Sequence, residues 1–364
     1  MQSRKPRLLV FLRFINIIVA GLYILNCLVP VLYTGSFWFL AIIGLAFPFL
    51  FILNLVFIIL WAVSKSKWVI LSTVAIVISI QQISVNFGFR LKKEFVIEKS
   101  EKRLRILSWN VSRWDERNKQ KRGGTSFRPL MMDCIAMQEA DVLCLQEFFE
   151  PNDPDRFQPN LIEVQKIGFP YYYFFQSSQL FEGKLKYGMT IFSRYPIIDS
   201  AKFYIDINDH SEGMCYADIK APQGIIRVFS MHFQSVGFTS TDHEDVGKLR
   251  NSRGIINKLK NSYEIRSRQV DMASKIINAS PYPSILCGDL NDVPSSYAYF
   301  TIRGKMQDAF LKKGSGLGAT YRFLSKTLRI DYIMADKKFK IDQFSPIKVP
   351  YSDHYPLVAD VSMK

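Results

Sequence analysis

Pro283-Ser284-Ile285-Leu286-Cys287-Gly288-Asp289-Leu290-Asn291-Asp292 passes within ten residues from a short apolar run into a cluster of acid and amide groups. A run of that length behind Pro281 and Pro283 reads as a buried strand. The polar residues that follow it would stand at the strand's end. The same pattern recurs on both sides. Leu104–Asn110 reads as a strand closing on Asn110, and Asp141–Leu145 runs into Gln146-Glu147. Val228–Met231 leads into His232, Asp331 lies within Arg329–Ile333, and Ser352-Asp353-His354 precedes the strand Leu357–Val361. Met189–Ser193 is a further strand, while Pro129–Glu139 and Ser267–Asn278 have helical spacing. β-Branched and aromatic strands with helices between them predict a layered α/β domain over residues 104–364. In open α/β sheets, polar strand ends converge on a common crevice. Residues 236–264 are polar and charged, and they read as a long loop of the kind that is functional or mobile.

Each of these residues has an ordinary explanation when taken alone. Asn110 could form a turn, Glu147 could face solvent, His232 could be a core histidine and Asp353 an N-cap. Six strand ends of this kind in one domain call for a joint explanation. Carboxylate and amide oxygens suit a hard divalent cation. Such a cation neutralises phosphate charge and polarises a phosphorus–oxygen bond. An aspartate can activate water, and a histidine held by an aspartate can meet charge that builds on a phosphoryl oxygen.

The order of these strings resembles the endonuclease/exonuclease/phosphatase superfamily with the DNase I-like fold, whose members include DNase I, AP endonucleases, inositol polyphosphate 5-phosphatases and neutral sphingomyelinases. The strings are Ser108-Trp109-Asn110-Val111, Leu145-Gln146-Glu147, Met231-His232-Phe233, Gly288-Asp289-Leu290-Asn291, Ile330-Asp331-Tyr332 and Ser352-Asp353-His354. The resemblance spans about residues 104–364. It implies a four-layer sandwich of two mixed β-sheets flanked by helices. It also implies metal binding by Asn110, Glu147 and Asp353, with Mg²⁺ or alternatively Mn²⁺ as the ion. Asp289 would activate the attacking water, Asn291 would bind a phosphate oxygen, and Asp331 would orient His354. His232 matches the strand-end histidine of DNase I and the sphingomyelinases, where AP endonucleases carry a tyrosine. Gly318-Ala319-Thr320-Tyr321 stands where many members have a Thr-aromatic pair, and Tyr321 reads as core rather than as a stacking platform. The expected activity is hydrolysis of a phosphodiester or phosphomonoester. A nuclease acting on DNA or RNA is the alternative, and a scaffold that has lost its chemistry is the second.

The first 89 residues differ in kind. Phe14–Tyr33, Phe37–Val63 and Trp68–Phe89 are uncharged stretches of 20, 27 and 22 residues. A hydrocarbon core of ~30 Å needs ~20 helical residues, so each is long enough to cross. They predict a three-helix membrane anchor over residues 1–89, a charged linker over 90–103 and the catalytic unit beyond. The formal charge of +15 is split +8 up to Ser100 and +7 after it. The catalytic unit is therefore only mildly basic, a weak signal for nucleic acid. Lys248, Arg250, Arg253, Lys258 and Lys260 could meet nucleic acid or simply form a solvated helix face. The five cysteines, Cys27, Cys134, Cys144, Cys215 and Cys287, contain no CxxC pair and read as small buried hydrophobes. The expected partners are a lipid bilayer and a phosphoester, either a lipid headgroup or nucleic acid.

Arg4, Lys5, Arg7 and Arg13 precede or open the first stretch, and Lys65 and Lys67 sit between the second and third. The positive-inside rule puts both in the cytoplasm, and three crossings then carry the catalytic unit outside. The basic run from Arg90 to Arg105 opposes this. A reporter fused after Lys364 is expected to be active only outside the cytoplasm. A signal confined to the cytoplasm would mean two crossings, or dominance of that basic run.

Overall fold

The computed structural model describes residues 4–91, 93–152, 158–205, 213–237, 252–323 and 325–364. Two six-stranded sheets dominate it. The first has the order β13-β14-β2-β3-β5-β4 and contains Phe339–Pro346, Leu357–Met363, Leu104–Asn110, Val142–Pro151, Leu185–Ser193 and Tyr171–Leu180 in that order. The second has the order β10-β12-β9-β8-β7-β6 and contains Gln307–Asp308, Asp331–Ala335, Ser284–Asp289, Gly224–His232, Gly213–Ala221 and Ile197–Tyr204. Each sheet is mixed and is built on one parallel pair, β2 with β3 and β8 with β9, with antiparallel neighbours.

The sheets pack face to face through Ile106, Val142, Cys144, Ile191, Ala217, Val228, Ile285, Cys287 and Ile333. Alternate residues of the same strands point outwards. Leu107, Trp109, Leu143 and Leu145 pack on the helix Arg128–Met137. Phe229, Met231, Leu286 and Met334 pack on the helices Ser252–Asn278 and Tyr297–Arg303. Strands covered on both faces must be apolar almost throughout, as β2, β8 and β9 are. The polar side chains of the site stand at their ends, and those buried within them are paired, as Arg227 is with Asp218 and Ser230 with Gln146.

Two stretches depart from the sequence reading. The strand from Val142 does not stop before Gln146-Glu147 but continues to Pro151 through a bulge. Leu145 pairs with Thr190 and Phe148 with Gly188, so two residues, Gln146 and Glu147, oppose Met189 alone. Such a bulge re-aims a side chain, and Glu147 adopts φ 47° there. The helix expected from Ser267 begins at Ser252, so the loop reading of 236–264 fails from Ser252 onward. Its apolar residues Ile255, Leu259 and Tyr263 recur every four positions and continue into Val270, Ala273 and Ile277, a period hidden by the intervening Lys and Arg residues. Lys248 and Arg250 lie outside the described residues, while Arg253 is on the exposed face of this helix. The hairpin partners β4, β6, β7 and β13 were also not legible.

The N-terminal unit holds α1 (Arg4–Leu25), α2 (Trp38–Leu45), α3 (Phe47–Val63), α4 (Val69–Ile78) and α5 (Ile80–Asn86). Among the described residues, one continuous helical stretch, Arg7–Leu28, is long and apolar enough to cross a membrane. The other two expected spans are each bent, by 60° between α2 and α3 and by 63° between α4 and α5. Pro48 accounts for the first bend, because it offers no backbone N–H and crowds the residue before it. Inside the bundle, Asn16 donates to Ser72 Oγ (2.6 Å) and accepts from the Trp61 indole (2.9 Å), tying α1, α3 and α4 together.

The two units touch directly. Ser295 Oγ donates to the Gly44 carbonyl (3.1 Å), Arg329 Nη2 to the Val85 carbonyl (2.5 Å), and the Thr34 and Ser267 hydroxyls are 2.7 Å apart. Gly88–Phe89 pairs with Ser315–Gly316 as a two-stranded sheet. The linker is also fixed: Val96 exchanges hydrogen bonds with the Gln343 side chain, and its carbonyl accepts from Arg105.

Gly288 gives this packing its sharpest test. It has φ 138°, and a Cβ there would lie 2.0 Å from the Met231 carbonyl oxygen across the β8–β9 pair. Gly288→Ala is expected to cost ~2–4 kcal/mol of stability, from backbone strain and steric conflict together. The thermal midpoint of the purified protein measures it, and an unchanged midpoint would contradict the close approach.

Candidate active site

The register of the second sheet puts His232 beside Asp289 and Asp289 beside Asp331. The first sheet puts Asn110 beside Gln146, next to the bulged Glu147. Because the sheets stack, these rows meet at one rim, and Ser352-Asp353-His354 closes it from the turn before β14. All eight residues expected from the sequence thus come together. Six of them, Glu147, His232, Asp289, Asn291, Asp353 and His354, line a cavity of about 450 Å³. Asn110 and Asp331 are buried behind them.

Asn110 holds the two sheets in register at this rim. Its Nδ2 donates to Glu147 Oε1 and to Asp289 Oδ2, each at 3.2 Å, and its Oδ1 accepts from the Ser112 N–H. Asp289 also accepts from the Asn291 N–H (2.7 Å). Asn291 has φ 51°, and its side-chain amide donates to the Phe233 carbonyl (2.8 Å), leaving its second N–H for another acceptor. The Asp289 carboxyl is fully buried, and its pKa rises to about 6. Desolvation is the main cause and the neighbouring Asp331 charge adds to it, while His354 and His232 act the other way. That value suits a group that takes a proton near neutral pH.

His354 is held through both sides of its ring and through its backbone. Nδ1 lies 2.8 Å from Asp331 Oδ2, and Nε2 points into the cavity 3.7 Å from Asp289 Oδ2. The Trp109 indole donates to the His354 carbonyl (3.0 Å), and Ser352 Oγ accepts the His354 N–H while donating to the Asn110 carbonyl. Burial works against the imidazolium, but Asp331 and Asp289 outweigh it and hold its pKa well above the ordinary histidine value. His232 Nε2 is 3.9 Å from both Glu147 Oε1 and Asp289 Oδ2 and has no hydrogen-bond partner among the described residues. It is buried and faces the gap between two carboxylates, where a phosphoryl oxygen or water would satisfy it.

The donor set fits a hard cation. Glu147 and Asp353 face the cavity with carboxylate oxygens, and Asn110 Oδ1 retains a lone pair behind them. Burial, with the Glu147 charge adding to it, raises the Asp353 carboxyl above its usual range, a repulsion that a cation would relieve. Asp289, Asp331 and His354 also cluster closely enough to hold an ion, with ligand atoms within 4.8 Å of one another. His354 Nδ1 is already engaged by Asp331, so in that cluster an Asp–His pair accounts for the geometry without an ion.

The structure gives the Thr320-Tyr321 pair a different place from the sequence reading and adds two arginines to the site. Tyr321, expected in the core, lines the cavity with its ring centroid 5.0 Å from that of His354. Thr320 is buried, and its hydroxyl accepts the N–H groups of Ile330 and Asp331, fixing the start of β12. Arg113 and Arg117 reach the cavity from a segment in which Ser112–Asp115 all have positive φ. No sequence signal marks that backbone.

A family model described as the endonuclease/exonuclease/phosphatase family matches residues 107–354, and one described as a domain of unknown function matches residues 8–86. No curated protein matches the chain. Similar solved structures include an endonuclease/exonuclease/phosphatase from Beutenbergia cavernae, with 20% identity, 72% of each chain covered and TM-score 0.54. The human Nocturnin catalytic domain with bound sulfate is 17% identical, over 73% of this chain and 97% of that one, at TM-score 0.51. D. rerio TDP2 complexed with single-strand DNA product is 16% identical, over 72% and 99%, at TM-score 0.50. At these identities the likeness concerns the fold.

The chain has four histidines, so individual imidazole signals are resolvable by NMR. In metal-free protein His354 is expected to titrate above the ordinary histidine range, and in Asp331→Asn below its wild-type value. A raised folded pKa stabilises the protein fully below the unfolded value of ~6.5, and this is lost as pH rises through the folded pKa. An unshifted His354 titration in Asp331→Asn would remove the electrostatic part of the pairing.

Proposed function

The chain belongs to the endonuclease/exonuclease/phosphatase family, and on that footing we propose that it is a membrane-anchored, divalent-metal-dependent phosphoester hydrolase. The observation that carries this reading is the buried Asp289 carboxyl, tied by Asn110 to Glu147 and set between the imidazoles of His232 and His354. Glu147 and Asp353 would hold the cation, with Asn110 fixing Glu147. When bound, the ion, Mg²⁺ or Mn²⁺, neutralises phosphate charge and polarises the scissile bond.

Asp289 orients a water and takes its proton. The water oxygen bonds to phosphorus, the phosphorus–oxygen bond of the ester breaks, and the leaving oxygen takes a proton from solvent to depart as an alcohol, while Asp289 returns its own proton to solvent. His354, kept cationic by Asp331, donates through Nε2 to the phosphoryl oxygen on which charge builds. His232 and the free N–H of Asn291 hold the remaining oxygens. Removing one such positioned donor typically costs ~10²–10³-fold in rate. A second reading, a nuclease, has one observation in its favour: Arg113 and Arg117 line the cavity, where a nucleic-acid backbone could meet them.

In the membrane part, all three apolar stretches cross, two of them with a bend. Arg13 stacks over Trp68 (5.6 Å), so the basic N-terminal end and the Ser64–Lys67 turn share one end of the bundle. Thr34, Gly44 and Val85 meet the catalytic unit at the other. With the basic end in the cytoplasm, the catalytic unit lies outside it.

Glu147→Ala is expected to abolish Mg²⁺-dependent hydrolysis of bis(p-nitrophenyl) phosphate while leaving the thermal midpoint nearly unchanged, because a half-exposed rim side chain contributes little to the core. Near-normal turnover by the pure variant would overturn the metal assignment.

A further inference from the structure

The cavity at the catalytic rim is not made by the catalytic unit alone. Leu45, the last residue of α2, is part of its wall. Val236, Leu259 and Val293 also line the cavity, so its lining includes apolar side chains as well as Arg113 and Arg117. The bend that ends the apolar stretch of α3 at Ala46 is what brings Leu45 there. By turning 60°, α2 leaves the line of α3 and lies against the catalytic unit. Its buried residues Leu40, Ala41 and Gly44 are on one side, and Ser295 Oγ donates to the Gly44 carbonyl. Phe37 and Phe39 are exposed beside it, and Phe49, Ile52, Val56 and Ile59 continue an exposed apolar surface along α3. Exposed apolar side chains on α2 and α3 and a cavity wall residue, Leu45, thus belong to the same bent pair of helices.

We infer that the substrate is an amphiphile taken from the bilayer, a phospholipid whose phosphoester enters the rim while its apolar chain rests on Leu45, Val236, Leu259 and Val293. This rests on the phosphoester reading above and extends it to a substrate class. The cavity has both features such a molecule needs: cationic and metal-binding groups for an anionic head, and apolar lining residues for a chain. A water-soluble phosphoester has no use for a wall supplied by the membrane unit, and nucleic acid offers nothing apolar of that length to place on it. The scissile step is unchanged: water adds to phosphorus, and one ester oxygen leaves as an alcohol carrying a proton.

The test uses the full chain reconstituted in vesicles of phosphatidylcholine, phosphatidylglycerol and phosphatidic acid, with products identified by mass spectrometry. The deacylated counterparts of the same lipids, offered in solution, carry the same phosphoesters without chains. Bis(p-nitrophenyl) phosphate reports the bare chemistry. The wild type is expected to turn over an acylated substrate at least about tenfold faster than its deacylated counterpart, the scale on which an apolar contact discriminates. Leu45→Glu and, separately, Val293→Glu are expected to lower that ratio at least about tenfold. Both rates come from one preparation, so the ratio does not depend on how much of a variant has folded. Cleavage of bis(p-nitrophenyl) phosphate with no preference for acylated substrates, or a ratio unmoved in both variants, overturns the inference and leaves the phosphoester reading standing. Cleavage of single-stranded DNA in place of every lipid overturns it in favour of the nuclease. Metal-supplemented protein that cleaves none of the probes overturns the phosphoester reading and this inference with it.

Discussion

The amide of Asn110 joins the two halves of the catalytic unit. One side chain donates to Glu147 in its own sheet and to Asp289 in the facing sheet, while its oxygen fixes the Ser112 backbone. Gln146 makes a second crossing, donating to Ser230 Oγ at 3.1 Å. Asp289 is buried, so its unpaired charge would be costly to place there. The Asn110 and Asn291 donors and the two imidazoles offset that cost. The apolar faces that press the sheets together thus also determine which polar groups meet at the rim. A shift of one residue in β2 or β9 would turn these groups to the opposite faces.

Much of this was legible in the sequence because a strand covered on both faces leaves no doubt about its composition. Leu104–Asn110, Gly224–His232 and Ser284–Asp289 are apolar runs with polar ends, and their ends are where the site residues lie. The edge strands were not legible. Ile197–Tyr204 and Tyr171–Leu180 face solvent on part of their length, so their pattern is mixed. Contacts between distant segments were hidden for a different reason. Tyr321 reads as core by composition, yet its pairing with His354 places it on the cavity. The turn of Glu147 depends on a bulge opposite Met189, and Gly188 beside that bulge lies where a Cβ would stand 1.9 Å from the Phe175 carbonyl oxygen. Neither register is written in the local sequence.

The N-terminal stretches were read from length and apolarity alone, which find candidates for crossing but do not find bends. Buried amides tie these helices to one another: Asn16 links Trp61 and Ser72, and Gln82 donates to the Asn26 carbonyl, while Asn54 and Asn86 donate to carbonyls of their own helices. The bends at Ala46 and Ser79 turn α2 and α5 away from the bundle, and the Gly44 and Val85 carbonyls there accept from Ser295 and Arg329. Arg329 is itself held by the buried Asp308 (2.6 Å) and lies two residues before Asp331. The N-terminal unit is therefore braced against the strand that carries part of the site.

The proposed chemistry requires Asp331 and His354 to act as one pair, joined by the 2.8 Å contact between His354 Nδ1 and Asp331 Oδ2. The kcat for bis(p-nitrophenyl) phosphate, measured on Asp331→Asn, His354→Ala and the double variant alongside their thermal midpoints, tests it most directly. A loss of at least ~10²-fold is expected in each single variant and almost no further loss in the double, since groups that work through one another are strongly non-additive. Fully additive rate losses, or lowered midpoints with kcat per folded molecule unchanged, would contradict it.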